Sequence, residues 1–148
     1  MGFFKDLKNK VTGGAVTVTV TVPPVRRGQA AQVTVQATAK ANAKVSSVYL
    51  LVRATESCEV KDTDTVDGKS RTETVRGRHT SYETRLQVAG SQELKEGQSY
   101  TWQTQLELPT SALPSLNGKI IDHEWEAQAG LDMTGNDPDS GWQSFQVS

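Results

Sequence analysis

The chain has 148 residues, sixteen basic and seventeen acidic, for a formal net charge of -1. A domain of that length buries about 70% of the surface its unfolded chain exposes, so one core suffices, and the balanced charge excludes a global field drawing the protein onto nucleic acid or an anionic membrane. Cys58 is the only cysteine, which excludes an internal disulfide and a cysteine-based zinc cluster and points to a reducing compartment, the cytoplasm.

No stretch approaches the ~18 apolar residues of a membrane span, and Met1-Gly2-Phe3-Phe4-Lys5-Asp6-Leu7 lacks the apolar core of a secretory signal. Asp6 stands where a myristoylation motif wants Ser or Thr. Residues 1–14 form an N-terminal segment in which Phe3, Phe4 and Leu7 share one side of a short amphipathic turn. A helix capping the domain is the favoured reading, and a membrane or partner contact through those three residues is the alternative.

Residues 15–148 read as one antiparallel, two-sheet, all-β sandwich of the immunoglobulin-like class. Ala15 to Val22 alternates valine and threonine without a break, a half-buried strand stopped by Pro23-Pro24. Arg27-Gly28-Gln29 turns the chain, and Val33, Val35, Ala37 and Ala39 form the inward row of a second strand. From Val45 to Thr55 both faces are apolar, Val48, Leu50, Val52 and Ala54 on one and Tyr49 and Leu51 on the other, so this strand is expected to be covered on both sides.

Asp67-Gly68 is a two-residue hairpin turn in which both positions take positive φ. In that register Val66 faces Lys69, Asp64 faces Arg71, Val60 faces Val75, Glu59 faces Arg76, and Asp62 meets Glu73 as the one adverse pair. An exposed hairpin with a mobile tip is expected across residues 57–78. Beyond it, Tyr82, Thr84, Leu86 and Val88 alternate with polar residues, and Gly90 and Gly97 bracket a turn. Tyr100, Trp102, Leu106 and Leu108 form the next inward row, ended by Pro109. Ile121, His123, Trp125, Ala127, Ala129 and Leu131 form another, and a loop from Thr134 to Gly141 leads to a last strand at Trp142 to Val147. Many short strands with turns between them indicate a sandwich rather than an α/β fold.

Gly90-Ser91-Gln92-Glu93-Leu94-Lys95-Glu96-Gly97, then Leu106-Glu107-Leu108-Pro109, then Leu113-Pro114-Ser115-Leu116-Asn117-Gly118 and a strand ending at Leu131-Asp132, resemble the N-terminal domain of arrestin-like proteins. The opening Phe-Phe-Lys segment is most similar to bacterial sporulation-control members of that family. The resemblance implies an adaptor or scaffold that binds proteins without chemistry. Such proteins usually carry two sandwiches in tandem, so this chain is expected to be either a single-domain member or one from which a second domain has been removed. A phosphate-triggered interdomain switch does not carry over.

The residues offer little chemistry. His123 shares a face with Trp125 and Ala127 and reads as a hydrogen-bonded histidine at the core edge, while His79 reads as a solvated loop residue. No Gly-x-Ser-x-Gly or His-Glu-x-x-His run is present, so no catalytic residue, enzyme activity or cofactor is expected. Asp132, Asn136, Asp137 and Asp139 crowd four oxygen-bearing side chains into one loop, a calcium pattern that ordinary loop chemistry also produces. Asp62, Asp64 and Asp67 fit a hairpin better than a calcium loop. Lys69, Arg71, Arg76 and Arg78 lie along one hairpin arm, a basic run suited to an acidic or phosphorylated peptide or simply to solvent. No aromatic residues interleave with it to stack bases.

The first strand, carrying Val16, Val18 and Val20, has no charge or bulge and is the kind of edge that proteins protect. It either pairs within its own sheet on both sides or lies at an edge where a second copy adds. The expected partner is another protein, with a homo-oligomer through the first strand as the alternative.

Overall fold

A computed structural model describes residues 14–148, so Phe3, Phe4, Leu7 and the expected N-terminal turn lie outside the described residues. The described strands are β1 (Val16–Thr21), β2 (Ala30–Ala39), β3 (Ala43–Val66), β4 (Lys69–Ala89), β5 (Gln92–Leu94), β6 (Ser99–Glu107), β7 (Leu116–Asn117), β8 (Ile121–Met133) and β9 (Gln143–Phe145). They form two sheets, one ordered β1-β2-β6 and one ordered β4-β3-β8-β7, with β5 added to β3 and β9 to β8. Every ladder is antiparallel.

The inward rows read from the sequence meet face to face. Val16 pairs with Ala39, Val18 with Ala37 and Val20 with Val35 along β1–β2. Period two puts these residues and Val33 on the side facing Leu50, Val52, Ala54, Ala127, Ala129 and Leu131, all buried apart from the half-buried Val20. Trp125 is the largest fully buried side chain, with Tyr82, His123 and Phe145 around it at ring-centroid distances of 5.2, 5.7 and 6.1 Å. Its indole Nε1–H donates to the Leu113 carbonyl at 2.9 Å, so this large ring is buried without an unpaired donor.

One border of the sandwich is laced by main-chain hydrogen bonds. Val25 N–H donates to Gln146 O at 2.8 Å, Ser148 N–H to Val25 O at 2.9 Å, and Ser115 N–H to Val147 O at 2.8 Å. Val25 and Val147 form a parallel bridge, so the chain end expected as a last strand is a short β9 followed by this seam.

The main departure from the sequence reading is length. The strand at 45–55, the hairpin at 57–78 and the strand at 82–88 are not separate elements; they join into two strands, β3 and β4, paired from Val48–Ala89 out to Val66–Lys69. Polar residues from Ser57 onward suggest a break, yet polarity removes only the burial and leaves the ladder intact. The short strands β5 and β7 carry too few residues for periodicity to reveal them.

The outer face of the larger sheet is covered in part, as expected for β3. Tyr49 is buried there with its ring lying across Gly130, its ladder partner on β8. Arg85 stacks on that ring at 4.1 Å, and Arg53 lies 3.7 Å over Trp142. Tyr49 occupies the space a side chain at residue 130 would need, since a Cβ built there runs into the phenol. Gly130→Ala is therefore expected to lower stability by about 1–3 kcal/mol in urea unfolding, the usual range for overpacking. Combining it with Tyr49→Ala should cost less than the sum of the single changes, a coupling readable in a double-mutant cycle.

Candidate protein-binding surface

The surface begins with the turn at Asp67-Gly68, whose φ values of 53° and 73° are the pair a tight two-residue hairpin requires. The ladder runs back from it in the register the sequence predicts, with Asp64 opposite Arg71, Val60 opposite Val75, Glu59 opposite Arg76 and Asp62 opposite Glu73. Arg71 forms an ion pair with Glu73 on its own strand, which relieves the like-charge pair across the ladder. Every residue from Cys58 to Thr80 is exposed, so this part of β3–β4 is a two-stranded ribbon standing clear of the core.

Alternation gives the ribbon two different faces. Cys58, Val60 and Val66 continue the row of Val52 and Ala54, and the ladder places Val75 opposite Val60 and Ile121 opposite Cys58. Inside the sandwich this row is core; beyond it, Val60, Val75 and Ile121 are 40%, 48% and 48% exposed. Gly77 stands opposite Cys58, whose Sγ lies 3.0 Å from where a Cβ at residue 77 would be.

The other face carries Ser57, Glu59, Lys61, Arg76 and Arg78. With Lys119, Ile120 and Asp122 they line an open groove of about 770 Å³. The Glu59 N–H donates to Ile120 O at 2.8 Å, which holds the 119–121 segment against the ribbon. Arg76 pairs with Glu59 at 3.3 Å, whereas Lys61, Arg78 and Lys119 make no ion pair among the described residues.

The basic arm is thus divided. Lys69 and Arg71 sit on the face of the apolar strip, towards the tip, and Arg76 and Arg78 on the opposite face, because period two separates odd from even positions. Lys61 and Lys119, from β3 and the β7–β8 loop, complete the basic cluster and escape a reading confined to one arm. The apolar strip was legible in principle: Cys58 and Val60 keep the parity of Val52 and Ala54.

At the ribbon's base β4 carries one extra residue, Ser81, where the register shifts between Ala54 and Thr55. Its hydroxyl lies 2.6 Å from His123 Nε2, and His123 Nδ1 lies 2.8 Å from Pro114 O. The carbonyl can only accept, which puts a proton on Nδ1; in the neutral ring Nε2 then accepts from Ser81. His123 is a buried histidine with both nitrogens engaged, tying β4, β8 and the 114–116 loop together. Neither nitrogen meets a carboxylate, so the orienting acid of a nucleophile–base–acid arrangement is missing here. His79 is an exposed ribbon residue opposite Glu56.

In the acidic loop Asp137 and Asp139 bond the loop's own backbone. Asp137 Oδ1 accepts from Met133 N–H at 3.0 Å and Asp139 Oδ1 from Gly141 N–H at 2.8 Å, while Asp132 lies in β8 opposite Ser47. No three His, Cys, Asp or Glu side chains among the described residues are grouped to hold a metal ion.

Val16, Val18 and Val20 lie on β1, the outer strand of the smaller sheet. Their side chains belong to the core, so what β1 offers to solvent is its main-chain edge and the threonine row.

The acidic loop also acts on Tyr49. Burial first, then the negative charges of Asp137, Asp139 and Asp132, push its phenol above the ordinary value of 10.0, and Arg85 opposes them. A raised phenol contributes stability that is fully present below the unfolded value and is lost as pH rises through the folded one. Ultraviolet titration is expected to show a phenol ionising above the ordinary value that is lost in Tyr49→Phe, and Tyr49→Phe should lose less stability above about pH 10 than the native chain. A separate expectation concerns the ribbon: replacing residues 59–76 by an Asp-Gly turn removes no core residue and should shift Tm by no more than a few degrees by circular dichroism.

No family model matches the chain, and no curated protein matches it. Among solved structures it is similar to the sporulation control protein Spo0M of Bacillus subtilis, with a TM-score of 0.61 at 19% identity. The match covers 91% of this chain and 50% of that one, so this chain spans about half the length of Spo0M. At that identity the likeness concerns the fold, which is the two-sheet arrestin-like sandwich the resemblance implies.

Proposed function

We propose that the chain is a non-catalytic adaptor or scaffold module that engages another protein through the β3–β4 ribbon, in the cytoplasm. The observation that carries this reading is the uncovered strip of Ile121, Cys58, Val60 and Val75 on a ribbon that adds nothing to the core. Exposed apolar residues packed side by side are costly in water, and contact with a partner offsets that cost. The basic groove on the other face, with Lys61, Arg78 and Lys119 unpaired among the described residues, supplies orientation, since charge at an interface governs specificity and encounter rate more than affinity.

Two further points support the reading. A lone exposed thiol at Cys58 suits a reducing compartment. The structural neighbour is a sporulation control protein, which favours a regulatory role over a metabolic one.

The test compares the native chain with Val60→Lys/Val75→Lys as bait in a lysate of the source organism, with captured proteins quantified by mass spectrometry. A specific partner enriched by the native chain should fall about tenfold or more with the double variant, equivalent to a loss of about 1.4 kcal/mol. A control at Thr63→Lys/Thr72→Lys, on the opposite face near the tip, should retain it. Identical capture by the native chain and the valine variant would remove the ribbon from the interface.

A further inference from the structure

The molecule has several open strand edges, and they are not protected alike. β4 carries Arg71, Glu73, Arg76, Arg78, Glu83 and Arg85 and is interrupted by register shifts near its base, the devices that keep an edge from pairing with another chain. β7 is only two residues long. β6 ends in Glu107 and bears the stacked rings of Tyr100 and Trp102, 6.0 Å apart. β1 has none of these features. Its six residues Val-Thr-Val-Thr-Val-Thr contain no charge, proline or bulge and pair only with β2 among the described residues.

From this edge we infer that a second copy of the chain adds antiparallel to β1, joining the two smaller sheets into one six-stranded sheet, β6-β2-β1-β1-β2-β6, about a two-fold axis. The sequence of β1 is what selects a second copy as the occupant. Two antiparallel strands keep their apolar faces together only when residues of the same parity stand opposite one another. For β1 against itself two registers do this while keeping most of the strand paired. One sets Val16 against Val20, Thr17 against Thr19 and Val18 against Val18; the other sets Val18 against Val20, Thr17 against Thr21 and Thr19 against Thr19. Each places β-branched residues together on the core side and threonines together outside, pairs that stabilise a sheet. The association is isologous, so it closes at two copies and leaves no free β1 edge. An interface of one short strand from each copy lies at the small end of the range for specific complexes, which makes the dimer weak and reversible.

The test is the solution mass of the full chain by sedimentation equilibrium across a concentration series, for the native protein, for Thr17→Lys/Thr19→Lys and for Gln103→Lys. The inference expects reversible association from 16.1 kDa to twice that mass. In either register the double lysine variant sets like charges directly opposite one another, so its dissociation constant should rise about tenfold or more while its circular dichroism and Tm stay native. Gln103→Lys, on the β6 edge, should dimerise as the native chain does.

A native chain monomeric at every concentration would overturn the inference. So would a dimer that Gln103→Lys dissolves and the threonine variant does not. A full chain that stays monomeric, while a chain starting at Gly14 dimerises, would assign the edge to residues 1–13 and overturn it equally.

Discussion

β3 serves the core and the ribbon with one uninterrupted alternation, and the other elements are arranged around it. Its even-numbered row supplies Val48, Leu50, Val52 and Ala54 to the core, pairs with β8 on one side and β4 on the other, and then runs past the edge of the sandwich as Cys58 and Val60. A strand cannot exchange its faces without a bulge, and β3 shows no register irregularity against β4 between Thr55 and Val66. The apolar strip outside the core therefore follows from the apolar row inside it. β8 keeps its own parity along β3, so Ile121 lines up with Cys58, whereas β4 changes parity at Ser81, which brings Val75 rather than an even-numbered residue opposite Val60.

Burial in this domain does not track pairing. The ladder between β3 and β4 continues from the fully buried Leu50 to the exposed turn at Asp67 with a single register shift, at Ser81, while the side chains pass from dry to wet around Ser57. At this transition Ser81, His123 and Pro114 O form a short chain of hydrogen bonds that satisfies every polar atom of the buried ring. Trp125 beside it is satisfied in the same way by Leu113 O. The 113–114 segment thus receives two buried side chains through its carbonyls, and this explains how a loop with little regular structure is held against β8.

Much of the fold was legible in the residues because antiparallel strands with one wet face announce themselves by period two. The rows of β1, β2, β6 and β8 lie where alternation puts them, and the hairpin register follows from Asp67-Gly68 alone. Three features were hidden for identifiable reasons. The continuity of β3 and β4 was masked because exposed strands carry polar residues on both faces, as loops do. β5 and β7 are too short to show a period. The partition of Lys69 and Arg71 from Arg76 and Arg78, and the place of Lys61 on the face of Arg76, were available from parity, whereas Lys119 joins the groove through the pairing of Glu59 with Ile120 O, a contact between distant parts of the chain. The arrestin-like resemblance rested on turn and Leu-Pro spacings, and those spacings belong to the segments that connect the strands.

The ribbon has no hinge residue where it leaves the sandwich along β3. A flexible loop would let a bound partner swing freely and would isolate the core from its motion, whereas two strands that continue into the sheet behave as a cantilever anchored between Trp125 and Leu50. A load at the Asp67 tip is then a torque on β3, and the single extra residue at Ser81 makes the β4 arm the more compliant of the two. Bending would consequently be anisotropic, easier towards one face than the other, and it would be registered first in the hydrogen bond between Ser81 and His123.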